Sequence, residues 1–384
     1  METIEADSEE AVAEILRQKQ PVEIVGSGSK LALGRPVAAE RRIKLSALSG
    51  IIAYEPAELV LTVKAATPLA EIEAALAANN QTLAFEPPNL SRLLGAGCDQ
   101  TIGGIVATAI AGPRRCVAGG VRDHVLGLRA VNGRGEIFSA GGKVVKNVTG
   151  YDLCKLLTGS FGTMAVFTEL TLKVLPAAET EESLAIGGLD AAEAVSAMCQ
   201  AMGSSAGISG AAHLPFGAEG PLTVLRLEGF GPSVAARRQR LQLALSHFES
   251  RLWEAEQSRA WWRDLRDVAP FAELDGQAIW KLSLAATQAP SLLARLVALP
   301  GSRAFLDWGG ALLWLSLPCG DDAQAQTVRA MLPEGAHAML MVAPAAVRSR
   351  QAVFQPLPAT QAAVEDRVRR SFDPERLLNP GRMV

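Results

Sequence analysis

A glycine-rich loop near the start of the chain is the first candidate for binding chemistry. The sequence Gly26-Ser27-Gly28-Ser29-Lys30 follows an apolar run over Val22–Val25 that predicts a strand. Glycines let a ligand approach the backbone N–H groups, and two hydroxyls and a lysine add donors, so this loop could cradle a pyrophosphate. It lacks the third glycine of G-x-G-x-x-G and the whole of G-x-x-x-x-G-K-S/T, so neither an ordinary Rossmann nor a Walker site fits. A plain surface turn is an equal alternative.

Two further glycine-rich segments follow in the same half of the chain. Thr101-Ile102-Gly103-Gly104 opens a run of small apolar residues and predicts a helix start, where backbone donors favour a phosphate or the electron-rich edge of a ring. Residues 159–163 form a glycine-rich turn before a predicted strand. Close helix packing and an ordinary turn are the respective alternatives. Together, three such loops in one half of the chain favour a common ligand.

Histidine and cysteine supply no evident catalytic or metal centre. Asp123 and His124 are neighbours on a predicted strand, where adjacent side chains point to opposite faces, so we interpret His124 as structural. His213, His247 and His337 have no metal-ligand spacing. The five cysteines form no C-x-x-C pair, which argues against zinc, a cysteine-ligated cluster or a disulfide framework. We predict no metal site and leave the catalytic residues unknown.

Two other features leave alternatives open. Trp261-Trp262 lies in a charged segment that predicts a helix, either as an exposed docking surface or as the anchor of that helix to the core. Cys98 lies between Gly97 and Asp99 in a glycine-rich region. Its thiol is either close to a bound ligand or a buried or unreactive group with no role in binding.

The composition is that of an ordinary globular protein. Of 384 residues, 49% are hydrophobic, and the formal net charge of −3 does not provide the basic surface that nucleic acid requires. Residues 1–10 are acidic and no run of about 18 apolar residues occurs, so we expect neither a signal peptide nor a membrane span. Widely spaced cysteines favour a reducing compartment.

The hydrophobic pattern predicts an α+β chain in two parts. In the first part, Asp7 or Ser8 caps a predicted helix, and Asn132-Gly133-Arg134-Gly135 predicts a β-hairpin turn. From about residue 180 the pattern β-α-β-β-α-β occurs twice. Its predicted helices lie around 190–202, 232–248, 289–298 and 321–332, and its predicted strands near 183–186, 208–214, 222–228, 278–284, 303–317 and 337–342.

Several short motifs together resemble the flavoprotein family of vanillyl-alcohol oxidase and p-cresol methylhydroxylase. Besides the three loops, they are Tyr54-Glu55-Pro56, Ala84-Phe85-Glu86-Pro87-Pro88, Gly112-Pro113-Arg114-Arg115, Val121-Arg122-Asp123, Lys146-Asn147-Val148-Thr149-Gly150-Tyr151-Asp152, Phe372-Asp373-Pro374 and Asn379-Pro380-Gly381-Arg382. The resemblance implies a two-subdomain FAD-binding domain of the p-cresol methylhydroxylase (PCMH) type over residues 1–177. It also implies a smaller ferredoxin-like α+β domain over residues 178–384, whose C-terminal segment returns to the first domain.

The same resemblance implies roles for particular residues. Residues 26–30 would hold the FAD pyrophosphate, Thr101, Gly103 and Gly104 would lie along the flavin, and Gly162 and Val166 would help to seat the nucleotide. The full implied set is Gly26, Ser27, Gly28, Ser29, Lys30, Pro88, Thr101, Gly103, Gly104, Gly112, Asp123, Gly162 and Val166. Residues 20–123 contain no histidine to tether a flavin, so we expect dissociable FAD.

Within that family the motifs are similar to those of the FAD-binding subunits of glycolate oxidases. This implies a flavoprotein oxidoreductase that oxidises glycolate, a 2-hydroxy acid, to glyoxylate within a hetero-oligomer. The implied partners are a larger flavin subunit and an iron–sulfur subunit. The implied location is the cytoplasm or, through those partners, the periphery of the inner membrane. A non-catalytic FAD-binding or electron-relay subunit, and a stand-alone FAD-dependent 2-hydroxy-acid oxidoreductase, are the alternatives.

Overall fold

A computed structural model describes residues 1–142, 150–217 and 219–383. Residues 146–149 of the family signature therefore lie outside the described residues. The helices are α1 (Glu9–Arg17), α2 (Leu69–Ala77), α3 (Ile102–Thr108), α4 (Arg115–Ala118), α5 (Leu153–Leu157), α6 (Ala191–Met202), α7 (Gly231–Ala244), α8 (Ala255–Arg266), α9 (Ala289–Val297), α10 (Ala325–Met331), α11 (Ala345–Arg350) and α12 (Ala359–Phe372).

The strands alternate with these helices along most of the chain, as the α+β prediction required. They are β1 (Glu2–Glu5), β2 (Val22–Val25), β3 (Arg41–Lys44), β4 (Ile51–Glu55), β5 (Val60–Lys64), β6 (Gln81–Thr82), β7 (Val125–Asn132), β8 (Ile137–Gly141), β9 (Ala165–Lys173), β10 (Leu175–Pro176), β11 (Thr180–Gly187), β12 (Gly210–Leu214), β13 (Leu222–Gly229), β14 (Ser250–Trp253), β15 (Gln277–Ser283), β16 (Arg303–Asp307), β17 (Leu312–Pro318) and β18 (His337–Val342).

The chain forms two compact units. Unit 1 comprises Met1–Ala111, Gly119–Pro176 and Pro356–Val384, and unit 2 comprises Gly112–Ala118 and Ala177–Gln355. The sequence-based division placed residues 112–118 with the first domain, whereas contacts assign this short segment to unit 2. Unit 1 is therefore built from three separate stretches of sequence.

Unit 1 contains a small parallel sheet and a larger antiparallel one. Strands β1, β3 and β2 form the first, with β3 in the middle, and the order β4-β5-β9-β7-β8 forms the second. Helix α1 begins at the predicted cap, because the Ser8 hydroxyl accepts a hydrogen bond from the Ala11 N–H at 3.2 Å. Its apolar side buries Val12 and Leu16 in the core beside the small sheet.

The predicted hairpin turn joins β7 to β8. The Asn132 side-chain oxygen accepts hydrogen bonds from the N–H groups of Arg134 and Glu136, and Gly135 adopts a φ of 71°. A side chain at Gly135 would also meet the Ala13 carbonyl at 2.6 Å, so both conformation and space favour glycine here. The strands on either side of the turn, β7 and β8, pair antiparallel.

Unit 2 is built on one eight-stranded sheet of order β14-β11-β13-β12-β16-β17-β15-β18. Each half of this sheet has the ferredoxin-like strand order, and the two halves meet where β12 pairs with β16. The ferredoxin-like prediction is therefore confirmed, with two copies of the motif. The stretch 303–317, predicted as strand, is two strands because a short 3-10 helix, Trp308–Gly310, interrupts it.

Side chains on the two faces of this sheet differ in character. On β15, Ala278, Trp280 and Leu282 point into the main apolar core of unit 2, which includes residues of α6, α9 and α10. Since side chains alternate along a strand, Lys281 lies on the opposite face. On that opposite face the Trp262 indole of α8 donates to the Ser183 hydroxyl at 2.9 Å, so Trp262 anchors its helix to the sheet.

No helix in the described part of the chain combines the length and apolar character needed to cross a bilayer.

Candidate functional site

The three glycine-rich loops of unit 1 meet around one cleft. Nine of the predicted positions line this cleft: Gly26, Ser27, Gly28, Ser29, Lys30, Thr101, Gly103, Gly104 and Gly162. Apolar side chains form much of the remaining wall, among them Ile24, Leu45, Ala107, Phe161 and Phe167. The cleft therefore combines an apolar surface with a rim of backbone amides.

The first loop, which follows β2, has backbone N–H groups without hydrogen-bond partners among the described residues. Among the described residues, the N–H groups of Gly26, Ser27 and Gly28 have no hydrogen-bond acceptor. The Ser27 hydroxyl instead accepts from the Ser29 N–H at 3.4 Å, and Gly28 has a φ of 95°, which turns the loop. Consecutive free donors beside a cleft form an anion-binding nest, so the loop fits the diphosphate of a dinucleotide.

The second loop packs against the first through the Thr101 side chain. The Thr101 hydroxyl caps α3 by accepting from the Gly104 N–H, and an added Cβ at Gly26 would meet that hydroxyl at 2.7 Å. An added Cβ at Gly103 would lie 2.7 Å from the Ala65 carbonyl. Close approach rather than a positive φ therefore requires both glycines: the Thr101 side chain lies against Gly26, and a backbone carbonyl lies against Gly103.

Lys30 extends from the first loop toward the second. Its ammonium donates to the Gln100 side-chain oxygen at 2.7 Å, while the buried amide nitrogen of Gln100 finds no acceptor in the described ranges. Burial lowers the pKa of Lys30 from 10.5 to about 8, and the nearby Cys98 thiol opposes that shift in part. A buried cation and an orphaned amide donor are what an incoming anionic group would satisfy.

Cys98 is held at the rim of this region. Its thiol donates to the Ser27 carbonyl at 3.3 Å, and it is only half-buried. Cys98 therefore contacts the first loop but is not among the described residues that line the cleft.

Two lining residues from the last stretch of the chain are absent from the predicted set. The Asn379 side chain accepts from the Ile24 N–H and donates to the Phe161 carbonyl, both at 2.8 Å. The Arg382 guanidinium donates to the Leu31 carbonyl at 3.1 Å. The Asn379-Pro380-Gly381-Arg382 signature was the available signal, but it gave no indication of where these side chains would lie.

The other four predicted positions do not line the cleft. Val166 points into the apolar cluster around α1, because its neighbours Ala165 and Phe167 take the cleft side of β9. Pro88 is buried in the loop after β6. The Asp123 carboxylate accepts from the Gly120 N–H at 2.8 Å.

Gly112, the fourth of these positions, belongs to unit 2. Its carbonyl accepts from the Trp308 indole N–H at 3.0 Å. Its neighbours in the chain, residues 113–118, are assigned to unit 2 as well.

Histidine supplies no metal centre in the part of the chain that the structure describes. His213 is buried, its Nδ1 lies 2.9 Å from the Thr223 hydroxyl, and burial lowers its pKa to about 4. No group of three histidine, cysteine, aspartate or glutamate residues lies close enough to hold a metal ion among the described residues.

Comparison with known proteins first defines the class. Residues 3–141 match the model of an FAD binding domain. The fold is similar to that of p-cresol methylhydroxylase, with a TM-score of 0.72 and 13% identity over 99% of this chain and 88% of that one. It is also similar to alkyldihydroxyacetonephosphate synthase, with a TM-score of 0.68 and 15% identity over 98% of this chain and 76% of that one. The chain is an FAD-linked flavoprotein with the PCMH-type fold.

A curated relative narrows this class to a family. Glycolate oxidase subunit GlcE of Escherichia coli (strain K12) is 36% identical over 375 residues, covering 97% of this chain and 95% of the relative. The chain belongs to the GlcE family of FAD-linked oxidoreductases. D-lactate dehydrogenase of Anaerostipes hadrus is 33% identical over 188 residues, covering 48% of this chain but only 38% of that enzyme. The predicted family and the predicted FAD are confirmed.

Proposed function

We propose that this chain is the FAD-binding subunit of a multi-subunit glycolate oxidase or dehydrogenase that oxidises glycolate to glyoxylate. The observation that carries the proposal is the likeness to the E. coli glycolate oxidase subunit, which extends through both units rather than the FAD binding domain alone. Such a subunit would pass its electrons to a partner. FAD, when bound, supplies the redox chemistry by accepting a hydride.

Different residues of the cleft would bind different parts of the dinucleotide. The free N–H groups of Gly26, Ser27 and Gly28 would bind the diphosphate oxygens, and Lys30 would supply the compensating charge. Gly103 and Gly104 would lie along the ring system, where their missing side chains leave room. Gly162, at φ 67°, would border the nucleotide from the third loop.

We further propose that FAD is held without a covalent bond. Neither histidine nor cysteine is among the described residues that line the cleft, and Cys98 donates its thiol proton to the Ser27 carbonyl. Acid denaturation of the purified holoprotein should leave all of the yellow colour in the supernatant. Flavin fluorescence on the protein band of a denaturing gel would overturn this part of the proposal.

The partners would be a larger flavin subunit and an iron–sulfur subunit. Within the described ranges this chain shows no cluster of metal-ligating side chains, so electron transfer beyond the flavin would need a separate protein. We place the complex in the cytoplasm, with any contact to the inner membrane made through its partners.

Reconstitution tests the proposal directly. The three proteins would be purified separately and mixed with or without this chain, and glycolate-dependent dye reduction would be measured. The proposal expects reduction to require this chain in its FAD-loaded form. Undiminished activity without the chain would overturn it.

An electron-relay role without substrate turnover is the second candidate. It is favoured by the absence of any histidine base among the described residues that line the cleft. Single-turnover mixing distinguishes the two functions: if glycolate bleaches the flavin of this chain alone, the chain itself oxidises substrate. Bleaching only after the larger subunit is added identifies a relay. Full steady-state turnover by the isolated chain would instead indicate a stand-alone 2-hydroxy-acid oxidoreductase.

A further inference from the structure

Unit 2 carries two cations that meet at one tryptophan ring. The Lys281 ammonium lies 5.2 Å from the centre of the Trp308 ring, and the Arg115 guanidinium lies 5.1 Å from the same centre. The two charges are therefore no more than twice that distance apart. The two like charges repel each other, and an anion bound near both would offset this repulsion.

The segment that carries Arg115 is fixed in place by other residues. The Trp308 indole donates to the Gly112 carbonyl at 3.0 Å, and the Cys116 thiol lies 3.7 Å from the Trp308 carbonyl. Arg114 pairs with the nearly buried Glu228 at 3.6 Å. These contacts hold the backbone of the segment but do not involve the Arg115 side chain, which is exposed to solvent.

Stacking alone does not account for this arrangement. The other arginines stacked on tryptophan rings in the described structure also have acceptors: Arg226 pairs with Glu228, Arg251 pairs with Glu219, and Arg329 donates to the Phe354 carbonyl. Among the described residues, the side chains of Arg115 and Lys281 make no hydrogen bond and no ion pair, and both lie over the Trp308 ring.

The charges around these two side chains do not balance. Asp307 is the carboxylate that acts on Lys281, but one of its oxygens accepts from the Trp308 N–H at 2.6 Å. Burial and the Arg115 charge lower the pKa of Lys281 to about 8 against the opposing effect of Asp307. Burial and the Asp307 charge raise the pKa of the Cys116 thiol to about 11, so Cys116 adds no negative charge at neutral pH. Asp307 is therefore the carboxylate that acts on Lys281, and the Arg115 charge opposes it.

We propose that Arg115 and Lys281 bind the carboxylate of a small hydroxy acid, with the Trp308 ring packing against its carbon atoms. Guanidinium offers a planar pair of donors to a carboxylate, and the lysine adds a third from a separate strand. That the ligand carries a carboxylate follows from the two positive charges, whereas its being a hydroxy acid rests on the proposed function. Arg115 and Lys281 would thus be substrate-binding residues that the glycine-rich loops do not reveal.

Direct binding on the full-length, FAD-loaded chain tests the inference without turnover. Calorimetric titration with oxalate and glycolate would be compared for the wild type, Arg115→Gln, Lys281→Met and the control Arg251→Gln. The control also removes an arginine from a tryptophan ring, but one that already has a carboxylate partner. We expect each of the first two substitutions to weaken oxalate binding at least tenfold and the control to change it less than twofold.

Three outcomes would overturn the inference: no oxalate binding by the wild type, unchanged binding in Arg115→Gln, or equally tight binding of inorganic phosphate. Because Arg115 is exposed, Arg115→Gln serves even if Lys281→Met fails to fold. Raising the pH from 7 to 9 should weaken oxalate binding by the wild type but not by a folded Lys281→Met. A reconstituted complex that oxidises glycolate while the chain binds no oxalate would refute this inference and leave the proposed function intact.

Discussion

The Arg382 guanidinium lies 3.2 Å from the Glu23 carboxylate, although 359 positions separate the two residues. Both side chains are buried, and Arg42 contacts the other oxygen of Glu23 at 2.6 Å. Arg382 also donates to the Leu33 carbonyl at 2.8 Å. The last stretch of the chain thus holds both the strand that enters the first glycine-rich loop and the turn that leaves it.

Replacing Arg382 should destabilise unit 1. Arg382→Met leaves Glu23 with one cation and leaves the Leu31 and Leu33 carbonyls without their side-chain donor, so we expect the free energy of unfolding to fall by about 3 kcal/mol. Urea denaturation followed by circular dichroism measures this loss. Arg370→Met is the control, because Arg370 makes an exposed pair with Asp366 and should cost less than about 1 kcal/mol. Equal losses in the two variants would contradict the role of the buried pair.

Asn379 should matter through its two hydrogen bonds rather than through charge. Asn379→Ala removes the side-chain acceptor of the Ile24 N–H and the side-chain donor to the Phe161 carbonyl, and we expect a loss of about 2 kcal/mol in unfolding free energy. We also expect a higher Kd for FAD, because these two groups border the cleft. Asn79→Ala, which removes one exposed hydrogen bond, is the matched control. Wild-type FAD affinity in Asn379→Ala would argue against a contribution of this residue to the cleft.

A single methyl group at Gly103 should disturb the cleft. The Cβ of Gly103→Ala would meet the Ala65 carbonyl at 2.7 Å, so α3 must shift, at a cost of about 1–3 kcal/mol in stability. The purified variant should contain less flavin per chain, measured from its absorption spectrum. Gly97→Ala is the control, since no atom lies within 4 Å of the added Cβ. Full flavin content in Gly103→Ala would show that the close approach is not needed.

The affinity for FAD should fall as the pH rises through 8. In the cofactor-free protein the pKa of Lys30 is lowered by burial to about 8, and a bound diphosphate would raise it again. Affinity is then greatest below pH 8 and declines above it, by about tenfold at pH 9. Fluorescence titration with FAD at pH 7, 8 and 9 measures this dependence. Lys30→Met should bind weakly and show no such slope, whereas Lys44→Met, which removes an exposed lysine, should retain it. A slope that persists in Lys30→Met would assign the effect to another group.

Local patterns in the sequence predict the features that depend on neighbouring residues. The Ser8 cap and the turn at Asn132 each need only a few residues, and both occur where the sequence places them. The three loops are also recognisable locally, because glycine spacing reports directly on backbone freedom. No single loop indicates that the three meet at one cleft. That prediction came from finding three such loops in the same half of the chain.

What the sequence does not predict depends on contacts between distant stretches. Asn379 and Arg382 look like ordinary polar residues until the fold brings them to β2 and the first loop. The assignment of residues 112–118 to unit 2 likewise depends on contacts such as Trp308 with Gly112. Strand β14 was not predicted because only Leu252 and Trp253 of its four residues are apolar, whereas β2, of equal length, is mostly apolar.

The order of synthesis gives the long-range bond of Asn379 a further meaning. A ribosome adds roughly 5–20 residues per second, so Ile24 waits about 20–70 s for an amide made 355 positions later. A growing chain therefore lacks part of the wall of this cleft until Asn379 has been synthesised. We therefore expect chains that stop before Asn379 to lack a complete flavin site.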